Sequence, residues 1–131
     1  MEPDFAEWYA DWQNPEHAKH FDFRSALDDR NLVRNYEAYN DVRLLNGRLD
    51  RSRDITLLEV GCATGEFYRY LRMKYPRVSY YGVDISWPAI ERAHEKYPQG
   101  RFFFTDPEVE VGSLPERVGL QRAPAIVSEL L

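Results

Sequence analysis

Ile55-Thr56-Leu57-Leu58-Glu59-Val60-Gly61-Cys62-Ala63-Thr64-Gly65-Glu66-Phe67 is the stretch that decides how this chain folds. Ile55, Leu57, Leu58 and Val60 carry the apolar and β-branched content of a buried parallel strand, and Glu59 stands where that strand emerges. Gly61 and Gly65 then bracket a tight turn, because a residue without Cβ takes positive φ and lets a ligand approach the backbone. From Gly65 onward Phe67, Tyr70, Leu71 and Lys74 recur at helical spacing until Tyr75-Pro76 stops the pattern. Strand, turn and helix in this order describe a βα turn suited to a ligand. The free N–H groups and positive dipole end of such a helix attract an anionic group.

Spacing separates the ligand classes that use this geometry. A dinucleotide fingerprint starting at Gly61 needs glycine where the chain has Ala63, and glycine or alanine where it has Glu66. Glu66 would set a carboxylate beside a pyrophosphate, which argues against NAD and FAD. No G-K-[ST] run occurs, so a phosphate loop is excluded. The pattern that remains is an acid followed by G-x-x-x-G, and two later acids repeat the theme. Val78-Ser79-Tyr80-Tyr81-Gly82-Val83-Asp84 reads as a second strand closing on Asp84, with Ser86 and Pro88 opening a helix. That helix carries Ile90, Ala93, His94 and Tyr97 on one face. Arg101-Phe102-Phe103-Phe104-Thr105-Asp106 then reads as an aromatic strand closing on a third acid.

The run from Glu59 to Gly65 resembles motif I of the class I S-adenosylmethionine-dependent methyltransferases, and Asp84, Ile85 and Asp106 fall at matching positions after the second and third strands. The resemblance implies S-adenosylmethionine as cofactor, bound at the C-terminal ends of a Rossmann-like, doubly wound parallel sheet. It implies that Gly61, Cys62, Ala63 and the helix start at Gly65 meet the methionine part. Glu59 orders the turn or a water near the ligand's amino group, Asp84 binds the ribose hydroxyls, Ile85 packs on adenine and Asp106 approaches the adenine amine. A carboxylate suits a ribose diol because it accepts two charge-assisted hydrogen bonds. One departure stands out: the commonest motif has glycine where this chain has Ala63, so the backbone there is expected in a region open to ordinary residues.

The resemblance covers roughly Ile55 to Leu131. It implies that only the cofactor-binding half of a seven-stranded fold is present, truncated after a fourth strand that starts near Pro124-Ala125-Ile126-Val127. The acceptor side would follow that strand, so no catalytic residue is named and the methyl acceptor is not read. The open fourth-strand edge predicts pairing with another chain, a homodimer being the simplest form. Two alternatives to a methyltransferase stay open: a non-catalytic S-adenosylmethionine-binding module acting through a partner, and a nucleotide-binding oxidoreductase domain, which Glu66 opposes.

With 131 residues the chain suffices for one hydrophobic core. Residues 54–131 form the expected cofactor-binding half-domain and 1–53 a helical cap or lid. Phe5, Trp8, Tyr9 and Trp12 fall at i, i+3, i+4 and i+7, an aromatic stripe read as folding over the open end of the sheet or simply packing on it. A longer helix is expected over 31–49, with Leu32, Val33, Tyr36, Tyr39, Leu45 and Leu49 toward the core and Asn46-Gly47 as its weak point. No apolar run reaches the length of a membrane span, and the start Met-Glu-Pro-Asp lacks the features of a signal peptide. A single cysteine, Cys62, excludes an internal disulfide and fits a reducing cytoplasm. Lying near a helix start it could be read as a nucleophile, but a small side chain filling the turn is the preferred reading. Net charge is −5, with 22 acidic against 17 basic residues, so no basic field draws in nucleic acid and a small-molecule acceptor is modestly favoured. His17, His20 and Asp22 lack further ligands to complete a metal site, and no metal is expected.

Overall fold

The computed structural model describes residues 5–16, 23–121 and 124–128. Helix α1 spans Phe5–Trp12. Two helices, α2 (Asp29–Glu37) and α3 (Asn40–Asn46), precede strand β1 (Ile55–Val60). Then follow α4 (Glu66–Lys74), β2 (Val78–Asp84), α5 (Trp87–Lys96), β3 (Phe102–Phe104), the short α6 (Leu114–Arg117) and β4 (Ala125–Ser128). The strands form one sheet in the order β3-β2-β1-β4, and every pair is parallel. Consecutive strands therefore run outward from β1 to β3, and the chain then crosses to the other side of β1. That reversal is the topological switch of doubly wound sheets, whose ligands sit beyond the strands' C-terminal ends.

Alternation along each strand sorts the core onto two faces. Leu57 and Tyr80 point to one face, where Leu32 and Tyr36 of α2, Val42 of α3, Phe67, Tyr70 and Leu71 of α4, and Ile90 and Ala93 of α5 join them in one cluster. Tyr36, Phe67 and Tyr70 meet ring to ring, with centroids 5.2 to 5.6 Å apart. Leu58 and Val83 point to the opposite face, where, among the described residues, they form a smaller buried cluster with Leu114 of α6. Phe103 and Ile126 remain exposed on that side of the sheet. Residues ahead of β1 thus share the main core with the strands.

Two expectations change. The long helix over 31–49 is two helices, because Tyr39 takes extended backbone (φ −87°, ψ 135°) between them and is half-exposed instead of buried. Arg43 Nε bonds the Glu37 carbonyl at 2.9 Å across the break, which satisfies an orphan acceptor at the end of α2. Arg24 lies over the Tyr36 and Tyr39 rings, 4.4 and 5.5 Å from their centroids, and so bridges the end of α2 and the break. Second, β3 is only three residues long, so Thr105 and Asp106 belong to the following loop. The readings of His17, His20 and Asp22 lie outside the described residues.

Candidate functional site

The β1–α4 turn is shaped by three residues of positive φ: Gly61 (83°), Ala63 (48°) and Gly65 (90°). Ala63 overturns the expectation of ordinary backbone at that position. It keeps the left-handed conformation a glycine would favour, and its Cβ makes that conformation cost about 1 kcal/mol. The Gly61 and Cys62 N–H groups both donate to the Val83 carbonyl, at 2.8 and 3.0 Å, so the turn is locked onto the end of β2. Gly65 is required sterically as well: a Cβ there would lie 2.8 Å from Phe102 Cζ and 3.1 Å from Tyr97 Cδ2. Helix α4 begins without a side-chain cap on its first amides. Cys62 is buried, with Sγ 3.8 Å from the Ala63 carbonyl, in keeping with a small side chain that fills the turn.

Asp84 joins this turn to the next. Its Oδ2 accepts from the Ala63 N–H and its Oδ1 from the Ser86 N–H, both at 2.8 Å. Burial pushes its carboxyl above the ordinary aspartate range, against the lowering effect of the Ser86, Ala63 and Ile85 amides. Each oxygen retains capacity for a further donor. Ile85 is half-buried beside it, and Trp87 is exposed, its ring edge-on to Phe104 at 5.7 Å. The Ser86 hydroxyl caps α5 through the Ala89 N–H, as its place before Pro88 predicts.

Glu59 is buried, and its carboxylate accepts a hydrogen bond from the Tyr80 hydroxyl on the neighbouring strand. Sequence reasoning passed over Gly82, which makes this pairing possible. A Cβ at Gly82 would lie 2.5 Å from the Tyr80 hydroxyl and 2.8 Å from Cys62 Cβ. A glycine inside an otherwise apolar strand is the signal that could have exposed it. Glu66 is likewise buried at the start of α4, bonded to Arg69 Nη1 at 3.1 Å, to the Tyr97 hydroxyl at 2.6 Å and to Lys96. Its charge is spent joining α4 to α5 rather than facing the turn's ligand side.

Asp106 is exposed, and its Oδ1 accepts from the Glu108 N–H at 3.0 Å, the bond of a local Asx turn. It lies at the rim of a cavity of about 390 Å³ whose walls include Val83, Phe104, Thr105, Leu114 and Arg117. The Thr105 N–H donates to the Asp84 carbonyl at 2.9 Å, so the segments carrying the two acids are tied together. The structure therefore brings Gly61, Cys62, Ala63, Gly65, Asp84 and Ile85 together at the C-terminal ends of β1 and β2, with Cys62 and Gly65 buried beneath the turn. Asp106 stands on the adjoining loop, and Glu59 supports the turn from beneath. Sequence reasoning also missed Gln13, which follows α1 and bonds the backbone on both sides of Ser86.

Comparison with known proteins bears on the family and the fold. A family model described as a methyltransferase domain matches residues 58–127. Malonyl-[acyl-carrier protein] O-methyltransferase of Priestia megaterium is 30% identical over 98 residues, which cover 69% of this chain and 36% of that protein. The solved structure of a TehB-like SAM-dependent methyltransferase from Corynebacterium glutamicum superimposes with a TM-score of 0.55 at 23% identity, covering 89% of this chain and 56% of that one; it supports the fold. The chain spans about a third of the first relative and just over half of the second.

Proposed function

The chain belongs to the class I S-adenosylmethionine-dependent methyltransferases, and we propose that it binds S-adenosylmethionine across its two βα turns for methyl transfer to a small-molecule acceptor. The observation that carries this reading is the Asp84 carboxylate. It is partly buried, accepts an amide from each turn, and has lone pairs left for a ribose diol. In this reading the uncapped start of α4 and the residues from Gly61 to Gly65 receive the carboxylate-bearing methionine end. Ile85 packs on the adenine, and Asp106 takes its amine at the rim of the cavity beside Phe104. Glu59, held by Tyr80, keeps the turn in shape.

When bound, the cofactor supplies an electrophilic methyl group on a sulfonium centre. The chain's own contribution is orientation: glycine-shaped backbone at one end and a fixed carboxylate at the other hold the ligand at two points. Residues 1–53 form the cap in this reading. Because α2 and α3 share the main core, the covering role falls to α1. Its Trp8 and Trp12 pack edge to face at 6.2 Å, with Trp8 still exposed. A homodimer through the outer edge of β4 and a cytoplasmic location complete the proposal, the latter supported by the single, buried cysteine. No helix among the described residues is long and apolar enough to cross a membrane.

A second reading is a cofactor-binding module without turnover of its own. Isothermal titration with S-adenosylhomocysteine, with NAD as control, tests the shared premise. Saturable binding of the first alone supports it, and a folded chain that binds neither overturns it. A methyl-transfer assay on binding-competent protein then separates enzyme from module.

A further inference from the structure

We infer that Gln13 is a positioning residue for the cofactor, a side chain from the N-terminal segment that fixes the adenine-side turn after β2. Its Nε2 donates to the Ile85 carbonyl at 2.5 Å, and its Oε1 accepts from the Trp87 N–H at 2.9 Å. One carboxamide thus bonds a carbonyl and an amide two residues apart, as a residue of a neighbouring parallel strand would.

The amides at the start of α5 show what these bonds complete. Trp87 is the first helical residue, and its N–H is one of the orphan donors of a helix N-terminus. Pro88 has no N–H, the Ala89 N–H goes to the Ser86 hydroxyl, and the Ile90 N–H goes to the Ser86 carbonyl. Gln13 therefore closes the cap from 74 residues away in the chain. The turn is held by three side chains, Asp84, Ser86 and Gln13, and of these Gln13 alone comes from outside it. Its loss would return the Ile85 carbonyl and the Trp87 amide to water and loosen the peptide that presents Ile85.

The inference rests on the cofactor reading above and deepens it. If Ile85 faces adenine, docking of the segment around Gln13 and occupancy of the adenine side are linked, and each strengthens the other by the same factor.

Two variants test it. Gln13→Ala removes both bonds, whereas Gln13→Glu keeps an acceptor for the Trp87 N–H and places a carboxylate against the Ile85 carbonyl. In Gln13→Ala, the Trp87 amide should exchange faster in ligand-free protein, and the Kd for S-adenosylhomocysteine should rise about tenfold, the scale of one or two neutral hydrogen bonds. The loss should be shared by adenosine and absent for methionine, a split that general loosening of the fold would not produce. Gln13→Glu should keep the Trp87 amide protected and still weaken adenosine. Unchanged Kd or unchanged exchange in Gln13→Ala overturns the inference, as does an equal loss for methionine. If wild-type protein binds no S-adenosylhomocysteine while Trp87 exchange still depends on Gln13, the cofactor reading fails and the tether stands.

Discussion

The two βα turns of this chain lie side by side at the sheet's C-terminal edge and are built in opposite ways. The turn after β1 carries three residues of positive φ and opens into a helix with no side-chain cap. The turn after β2 has a helix start closed by Ser86 and by Gln13. The first turn spends the Gly61, Cys62, Ala63 and Gly65 amides internally and leads into the uncapped start of α4, whereas the second offers a carboxylate acceptor. A ligand with an anion at one end and hydroxyl groups further along matches that polarity, and a diphosphate, which needs donors throughout, does not.

The largest effect should come from the first turn. Gly65→Ala places a Cβ at φ 90° against Phe102 and Tyr97 and should destabilise the fold by about 3 kcal/mol, the sum of left-handed strain and overpacking. Urea denaturation reads this directly, and an unchanged midpoint would remove the steric argument for the turn. Asp84→Asn tests the acceptor side. Affinity for S-adenosylhomocysteine should fall by about 2 kcal/mol, the scale of a charged hydrogen bond, with binding measured by calorimetry. Asparagine keeps an acceptor for one of the Ala63 and Ser86 amides, whereas alanine loses both bonds. Retained affinity would make Asp84 a purely structural link.

Ala63→Gly should act in the other direction and stabilise the chain by about 0.5 kcal/mol, the left-handed Cβ strain that is removed less the unfolded-state freedom that glycine adds. A lower thermal midpoint would contradict this. The smallest effect concerns pH. Burial raises the Asp84 carboxyl, so the folded chain holds that proton more tightly than the unfolded chain does. The shift therefore opposes folding at neutral pH, and the penalty is relieved as pH falls through the raised folded-state value. Ribose hydroxyls favour the ionised form, so ligand binding should release a proton near that value. Affinity should weaken on acidification sooner than an ordinary aspartate would allow, and titrations at several pH values would show a flat profile if Asp84 did not face the ligand.

The βαβαβ run from Ile55 to Phe104 was legible because each element is specified locally. Apolar strands close on acids, Gly65 and Ser86 start helices, and Tyr75-Pro76 ends one. What escaped was set by distant partners. The break at Tyr39 has no glycine or proline to mark it, and the periodicity of 31–49 suits two helices as well as one; Arg24 and Arg43 stabilise the bend from elsewhere. Alanine usually takes ordinary backbone, but the locks of Gly61 and Cys62 onto Val83 and of Ala63 onto Asp84 fix the left-handed turn regardless. Gln13 looks like any polar residue after a helix, and its two bonds span 72 and 74 residues.

The strand order has a kinetic consequence. β1, β2 and β3 neighbour one another in the chain and in the sheet, so each pairing closes only a short loop through a single helix. β4 must return to β1 from beyond α6, pairing Leu57 with Ala125, and so closes the longest loop in the sheet. Contacts that close long loops form late, so β4 should dock last on folding and detach first on unfolding. Both βα turns belong to the part that forms early, and the surface proposed to bind the cofactor would outlive the departure of β4.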